Sequence, residues 1–235
     1  MKRFTRTLAL LAGTLLGTAP VAAATFDAFT SFTGVNFTGN YFYGASGGGV
    51  FTPFTSNTGC QFAGVICLEQ SPGSVPAVYK STIGAFEISS LNVPAAALVL
   101  HPGSASRVLL GFFAPVTGDY DFDYNLFVAD DTPSGVDIFT FVAPFGGTSS
   151  SAFLTNLGPV IMNFTGSRRV FLNANDSFGI SIGNAGAFQN DSIGVNFSAR
   201  NVVTNVPEPG TWALFIAGFG MVGGTLRQRR TMVAS

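Results

Sequence analysis

Residues Asp119 to Tyr124 read Asp-Tyr-Asp-Phe-Asp-Tyr, an unbroken alternation of carboxylate and aromatic ring. Only an extended strand, whose side chains point to opposite faces in turn, gathers the three rings on one side and the three charges on the other. The pattern predicts a half-buried strand over 119–128, with Tyr120, Phe122 and Tyr124 inward and Asp119, Asp121 and Asp123 outward. Shorter runs of the same kind fill the chain from Val78 onward, at 78–81, 85–90, 96–100, 107–114, 136–142, 151–155, 160–164, 168–173, 177–183 and 192–199. Turn residues separate them, as in His101-Pro102-Gly103, Asp131-Thr132-Pro133-Ser134-Gly135 and Asn173-Ala174-Asn175-Asp176. Strands at this spacing predict an all-β protein, an antiparallel β-sandwich.

Composition agrees over residues 25–205, the length of one domain with a proper core. This body is rich in Phe, Val, Thr, Gly, Asn and Ser and poor in Lys, Glu, Gln and Met. Five cations (Lys80, Arg107, Arg168, Arg169, Arg200) face eleven acids, leaving it at −6, whereas the whole chain stands at −1. No basic stripe exists to neutralise phosphates, which speaks against a nucleic-acid partner. Residues 25–77 are less regular, with phenylalanines scattered through Gly, Ser, Thr and Asn. Within them Gly44 to Gly48 spells G-x-S-x-G around Ser46. A nucleophile elbow needs a strand before the serine and a helix after it, and the glycines that follow disfavour the helix. Cys60 and Cys67 are the only cysteines, and in an exported chain so close a pair predicts a disulfide-closed loop.

Export is predicted by both ends. Lys2, Arg3 and Arg6 precede an apolar run from Leu8 to Thr18. Ala22-Ala23-Ala24 then offers a small-residue cleavage site, so residues 1–24 read as a signal peptide cut after Ala24. At the other end Thr211 to Leu226 carries no charge and is apolar on every side. As a helix it would span roughly 24 Å, slightly less than the hydrocarbon core of a bilayer. Arg227, Arg229 and Arg230 follow it and would stay cytoplasmic, with residues 231–235 as a short tail.

The residues around this span carry a resemblance. Pro207-Glu208-Pro209, then Thr211-Trp212-Ala213, Ile216-Ala217-Gly218-Phe219-Gly220 and the arginine cluster stand in the order of the PEP-CTERM sorting signal. Residues 206–230 resemble that family, though Leu214 and Phe215 stand where it usually has methionines. The resemblance implies passage through the inner membrane, processing by an exosortase near Pro207, Glu208 and Pro209, and a cell-surface or extracellular destination in systems that make exopolysaccharide. A second pattern covers residues 85–199: Leu100-His101-Pro102-Gly103, Phe113-Ala114-Pro115, Gly118-Asp119-Tyr120, Val170-Phe171-Leu172 with Asp176, and Asn190-Asp191-Ser192. It resembles the jelly-roll body of exported PEP-CTERM proteins, akin to carbohydrate-binding modules, and so implies a fold more than a ligand.

Chemistry is sparse in this inventory. His101 is the sole histidine and reads as a turn residue whose ring caps a neighbouring backbone group. The three aspartates of the alternating run read as solvated charge. Hard oxygen ligands at Asp130, Asp131 and Asp137, with Asp176 and Asp191 in other loops, suit a weak structural Ca²⁺ rather than any other cofactor. Sugar contact would fall to Tyr41, Tyr43, Tyr79 and some phenylalanines, because Trp212 lies in the sorting tail. The expectation is an exported, exosortase-processed, non-catalytic surface or matrix protein that touches exopolysaccharide. The alternatives are a secreted hydrolase acting on a glycan or ester, and a carbohydrate-binding module.

Overall fold

The alternating run folds as the strand β10 (Gly118–Val128), with Tyr120, Phe122, Tyr124 and Leu126 all buried. The structure, a computed structural model, describes residues 23–58, 60, 62–186, 189–202 and 214–221. Along the chain come β1 (Thr25–Asp27), the single turn α1 (Ala28–Ser31), β2 (Tyr41–Gly47), β3 (Val50–Pro53), β4 (Val65–Glu69) and β5 (Ala77–Ser81). Next are β6 (Phe86–Ile88), β7 (Leu91–Val93), β8 (Leu98–His101) and β9 (Arg107–Phe113), which lead into β10. The last five are β11 (Val136–Ala143), β12 (Ser150–Leu157), β13 (Asn163–Leu172), β14 (Ser177–Asn184) and β15 (Ile193–Asn201).

These strands make the expected antiparallel sandwich. One sheet, here sheet A, runs β13-β10-β15-β8-β5-β4, and β1 pairs with the far half of β15 beyond β8. The other, sheet B, runs β12-β11-β14-β9-β2-β3. Between them lies a core built from alternate residues of each strand. Tyr120, Phe122, Leu126, Val195 and Phe197 come from sheet A; Tyr41, Tyr43, Leu110, Phe112, Phe178 and Ile180 come from sheet B. The β6–β7 hairpin and the segment around Phe62 cover part of the outer side of sheet A, burying Cys67, Tyr79, Leu91, Val93 and Val99. Beside them Arg169 and Arg200 flank Asp121 in one row across β13, β10 and β15, at 2.6 Å and 2.8 Å. The predicted outward aspartate is therefore an ion-paired one.

One expectation needs correction. The runs 160–164 and 168–173 are not separate strands. Residues 158–162 form a turn closed by Gly158 N–H donating to the Ile161 carbonyl, and a single ten-residue strand β13 follows. Proline at 159 has no N–H to give a ladder, so the apolar run Val160-Ile161-Met162 stays exposed as a loop. Residues 25–77 hold β1 to β4 and α1, joined by longer loops. One amide ties several of these segments together. Asn36 Nδ2 donates to the carbonyls of Tyr43 (2.7 Å) and Phe54 (2.9 Å), and its Oδ1 accepts from the N–H groups of Tyr43 and Phe37. Cys60 and Cys67 form the expected disulfide, with their Cα atoms 5.7 Å apart.

Candidate functional site

The outer face of sheet B carries the concavity of interest, a trough of about 470 Å³. Register explains its floor. Phe42 on β2 stands opposite Gly111 on β9, Gly111 opposite Gly179 on β14, Gly179 opposite Phe141 on β11, and Phe141 opposite Ser151 on β12. The two central positions have no side chain, so the flanking rings fold inward over them. A Cβ on Gly111 would fall within the Phe42 ring, and one on Gly179 would meet the Phe141 ring and the Leu110 carbonyl. Phe51 roofs Gly44 in the same way. The result is an aromatic carpet in which Phe42 packs edge-on against Phe51, tilted against Phe113 and edge-on against Phe141.

Polar groups border the carpet. Arg107, at one end, lies over the Phe139 ring at 4.5 Å. Four hydrogen bonds hold its guanidinium: Nη1 donates to Asp137 Oδ2 (2.8 Å), Nη2 to the Asp137 and Ser181 carbonyls, and Nε to Ser181 Oγ (2.6 Å). The pair Arg107–Asp137 cancels its own charge, so the trough presents no net charge to a ligand. The hydroxyls of Ser46, Ser149, Ser151 and Ser177 line it without a hydrogen-bond partner among the described residues. Arg107 was counted in the sequence only as a cation. Its pairing was not legible there, because 30 residues separate it from Asp137.

Other residues singled out in the sequence fall elsewhere. Ser46 sits in the β2–β3 hairpin, followed by the turn Gly48-Gly49 and another strand instead of a helix. His101 ends β8, and its Nδ1 lies 2.7 Å from the carbonyl oxygen of Pro102, a backbone contact as anticipated. Tyr41, Tyr43 and Tyr79 are all buried and offer no face to a sugar, which leaves the phenylalanines of that expectation as the aromatic surface. Burial raises the pKa of all three phenols.

The three aspartates proposed for calcium are not brought together. Asp130 is buried and accepts from Ser192 N–H (2.6 Å), Asp131 accepts from Asn92 (2.7 Å), and Asp137 is held by Arg107. Among the described residues no group of three or more His, Cys, Asp or Glu is placed to hold a metal ion. Asp176 accepts from the N–H groups of Phe145 and Asn173, which hold its pKa below the usual carboxylate value. Asp191 accepts from Ser134 Oγ and Gly135 N–H, yet burial raises its pKa.

Of the two ends, Ala24 is described; Ala22, Pro207, Glu208, Pro209, Trp212, Arg227, Arg229 and Arg230 lie outside the described residues. Within the expected span 211–226, residues 214–221 are helical. No helix among the described residues is long and apolar enough to cross a membrane.

Comparison with known proteins bears on the tail. Residues 205–230 match the model of the PEP-CTERM protein-sorting motif, so the chain carries that motif. No curated protein has a matching sequence. Among solved structures, the body is similar to a Podospora anserina GH26-CBM35 β-(1,4)-mannanase at 10% identity and a TM-score of 0.34. That match covers 79% of this chain and 29% of the mannanase chain. It is also similar to the module TmCBM61 solved with β-1,4-galactotriose, at 11% identity and a TM-score of 0.33, covering 68% and 88%. A third is the globular domain of zebrafish complement 1qA, at 12% identity and 0.30, covering 71% and 98%. Scores this low carry no argument about function.

Proposed function

We propose that this chain is an exported, exosortase-processed, non-catalytic surface protein that holds a neutral glycan on the outer face of sheet B. The sorting motif at 205–230 supports the route. The observation that carries the glycan reading is the trough itself. Its rings suit the C–H faces of sugars, its uncommitted serine hydroxyls suit sugar hydroxyls, and its one ion pair is already neutralised. An acyl chain would leave the hydroxyls without use, and an acidic polysaccharide would find no free cation in the trough. The non-catalytic reading is supported by the engaged ring of His101 and by the strand–turn–strand setting of Ser46.

The test is affinity electrophoresis through gels holding a neutral or an acidic exopolysaccharide, with an albumin control. Retardation is expected in the neutral gel alone. Replacing Phe51, which is partly exposed at the trough's margin, by Ser (F51S) should reduce retardation several-fold while leaving the melting curve close to that of the parent. Equal mobility in all gels would reject the glycan. Sorting is tested separately, by the mass and location of the protein in hosts with and without an active exosortase. An unprocessed chain in both hosts would reject the route.

A further inference from the structure

Phe37 stands in a backbone conformation that a large side chain rarely takes, with φ at +61°. Among the described residues four other non-glycines have a positive φ. Three are asparagine and one is serine, so Phe37 is the only bulky one. Left-handed backbone crowds the Cβ of such a residue, and glycine or asparagine would stand there at less cost. Bulky residues persist in it only where their surroundings over-determine them, and they gather at active sites and ligand clamps.

The surroundings of Phe37 hold it from both sides. The Asn36 amide that ties Tyr43 to Phe54 also accepts the Phe37 N–H, at 3.0 Å. After it, the Thr38 carbonyl accepts from Tyr41 N–H (3.0 Å) and the Asn40 carbonyl from Phe113 N–H (2.8 Å). The loop is thus fastened to β2 and β9, the strands that give the trough Phe42 and Phe113. What it fixes is a ring. Phe37 lies nearly parallel to Phe42 (6.4 Å between centroids, 15°) and to Phe113 (6.1 Å, 23°). One face of it therefore rests on the trough's own rings, yet the residue is 55% exposed. Cover for Phe42 and Phe113 needs only apolar bulk, which an aliphatic side chain on a relaxed backbone supplies. A flat ring held rigidly with its other face open to water is what the C–H face of a sugar stacks on.

We infer that Phe37 is a second sugar platform beside the trough, so that the site takes a chain of linked sugars and not a single one. This rests on the glycan reading given above and adds to it the least size of the ligand. One unit lies in the trough and a neighbouring unit lies on the outer face of Phe37. Two contacts made by one chain reinforce each other through the bond that joins its units.

The test is retardation of the full chain in gels of dextran, mixed-linkage β-glucan and galactomannan, with Phe37→Leu, Phe37→Tyr and Phe51→Ser beside the parent. Leucine keeps apolar bulk over Phe42 and Phe113 and loses the flat face, whereas tyrosine keeps both. In whichever gel slows the parent, F37L should be retarded several-fold less, with a melting curve close to the parent's, and F37Y should move as the parent does. Short oligosaccharides of that polymer should compete with the gel about tenfold better than its free sugar at equal mass for the parent, and F37L should bring the two together. If F51S weakens retardation and F37L does not, Phe37 is only cover and the glycan reading stands without it. A parent that oligosaccharide and free sugar release equally well overturns the second platform too, whatever the variants do. A parent that none of the gels retards rejects the platform and the glycan together.

Discussion

Glu69 is buried, yet only one of its carboxylate oxygens has a partner: Oε2 accepts from Gly73 N–H at 2.7 Å. The other oxygen and the buried Tyr79 hydroxyl have no hydrogen-bond partner among the described residues. Burial raises the carboxyl's pKa, with the Gly73 bond acting in the opposite direction, and the carboxylate in turn helps to raise that of Tyr79. A carboxyl raised in the fold holds its proton better there than in the unfolded chain. Its stabilisation is therefore complete below the unfolded value of about 4.5 and is lost as pH rises through the folded value. Glu69→Gln keeps the shape and removes the charge. At pH 7 it should melt about 2–4 °C above the parent, with the two converging near pH 4. Parallel melting curves across that range would show that the carboxyl gains nothing from its proton. Asn36 shows the opposite economy, with every polar atom of its amide engaged. Asn36→Ala removes all four bonds, and although the Tyr43 carbonyl keeps the Phe54 N–H, a loss of about 2 kcal/mol in urea denaturation is expected.

At the level of strands, the sheets are organised by rings laid over glycines. Besides the three in the trough, Phe127 covers Gly194 and Tyr124 covers Gly166, each from the neighbouring strand in register. A glycine is needed at these points because a side chain would displace the ring. At Gly179 it would also strike the Leu110 carbonyl, which no rotamer change relieves. Gly179→Ala should therefore cost about 3 kcal/mol, whereas Gly47→Ala, which meets only ordinary contacts, should fall within about 0.5 kcal/mol of the parent. The same feature explains what could be read from the sequence. β10 was legible because its two faces meet water and core, so its residues alternate in polarity. Strands β2 and β9 are apolar on both faces: Tyr41 and Tyr43 point into the core while Phe42 points out. Polarity then says nothing of direction, and a displacement of one residue exchanges the faces. That is why the tyrosines were expected as sugar platforms beside phenylalanines that polarity could not single out. The one usable sign was glycine at an interval of four, in Gly179 and Gly183, with Gly111 opposite on β9.

For the whole molecule, the disulfide is a local clamp and not the main support of the fold. It joins residues seven apart and ties only the β4 side. Replacing both cysteines by serine should lower stability by about 2 kcal/mol in a denaturant titration, with the far-ultraviolet spectrum unchanged. Loss of the β spectrum would mean that the clamp carries far more than its loop. The strand that carries most is β15, which pairs with β10 on one side and with β8 and then β1 on the other. It is also the last to be made, and β1, the first, has no other partner among the described residues. On the export route proposed above, the chain crosses the membrane amino end first. Until Ile193–Asn201 has emerged, sheet A remains three unjoined parts: β13 with β10, β8 with β5 and β4, and β1 alone. On that route sheet A is completed only by a strand that ends nine residues before the uncharged stretch beginning at Thr211.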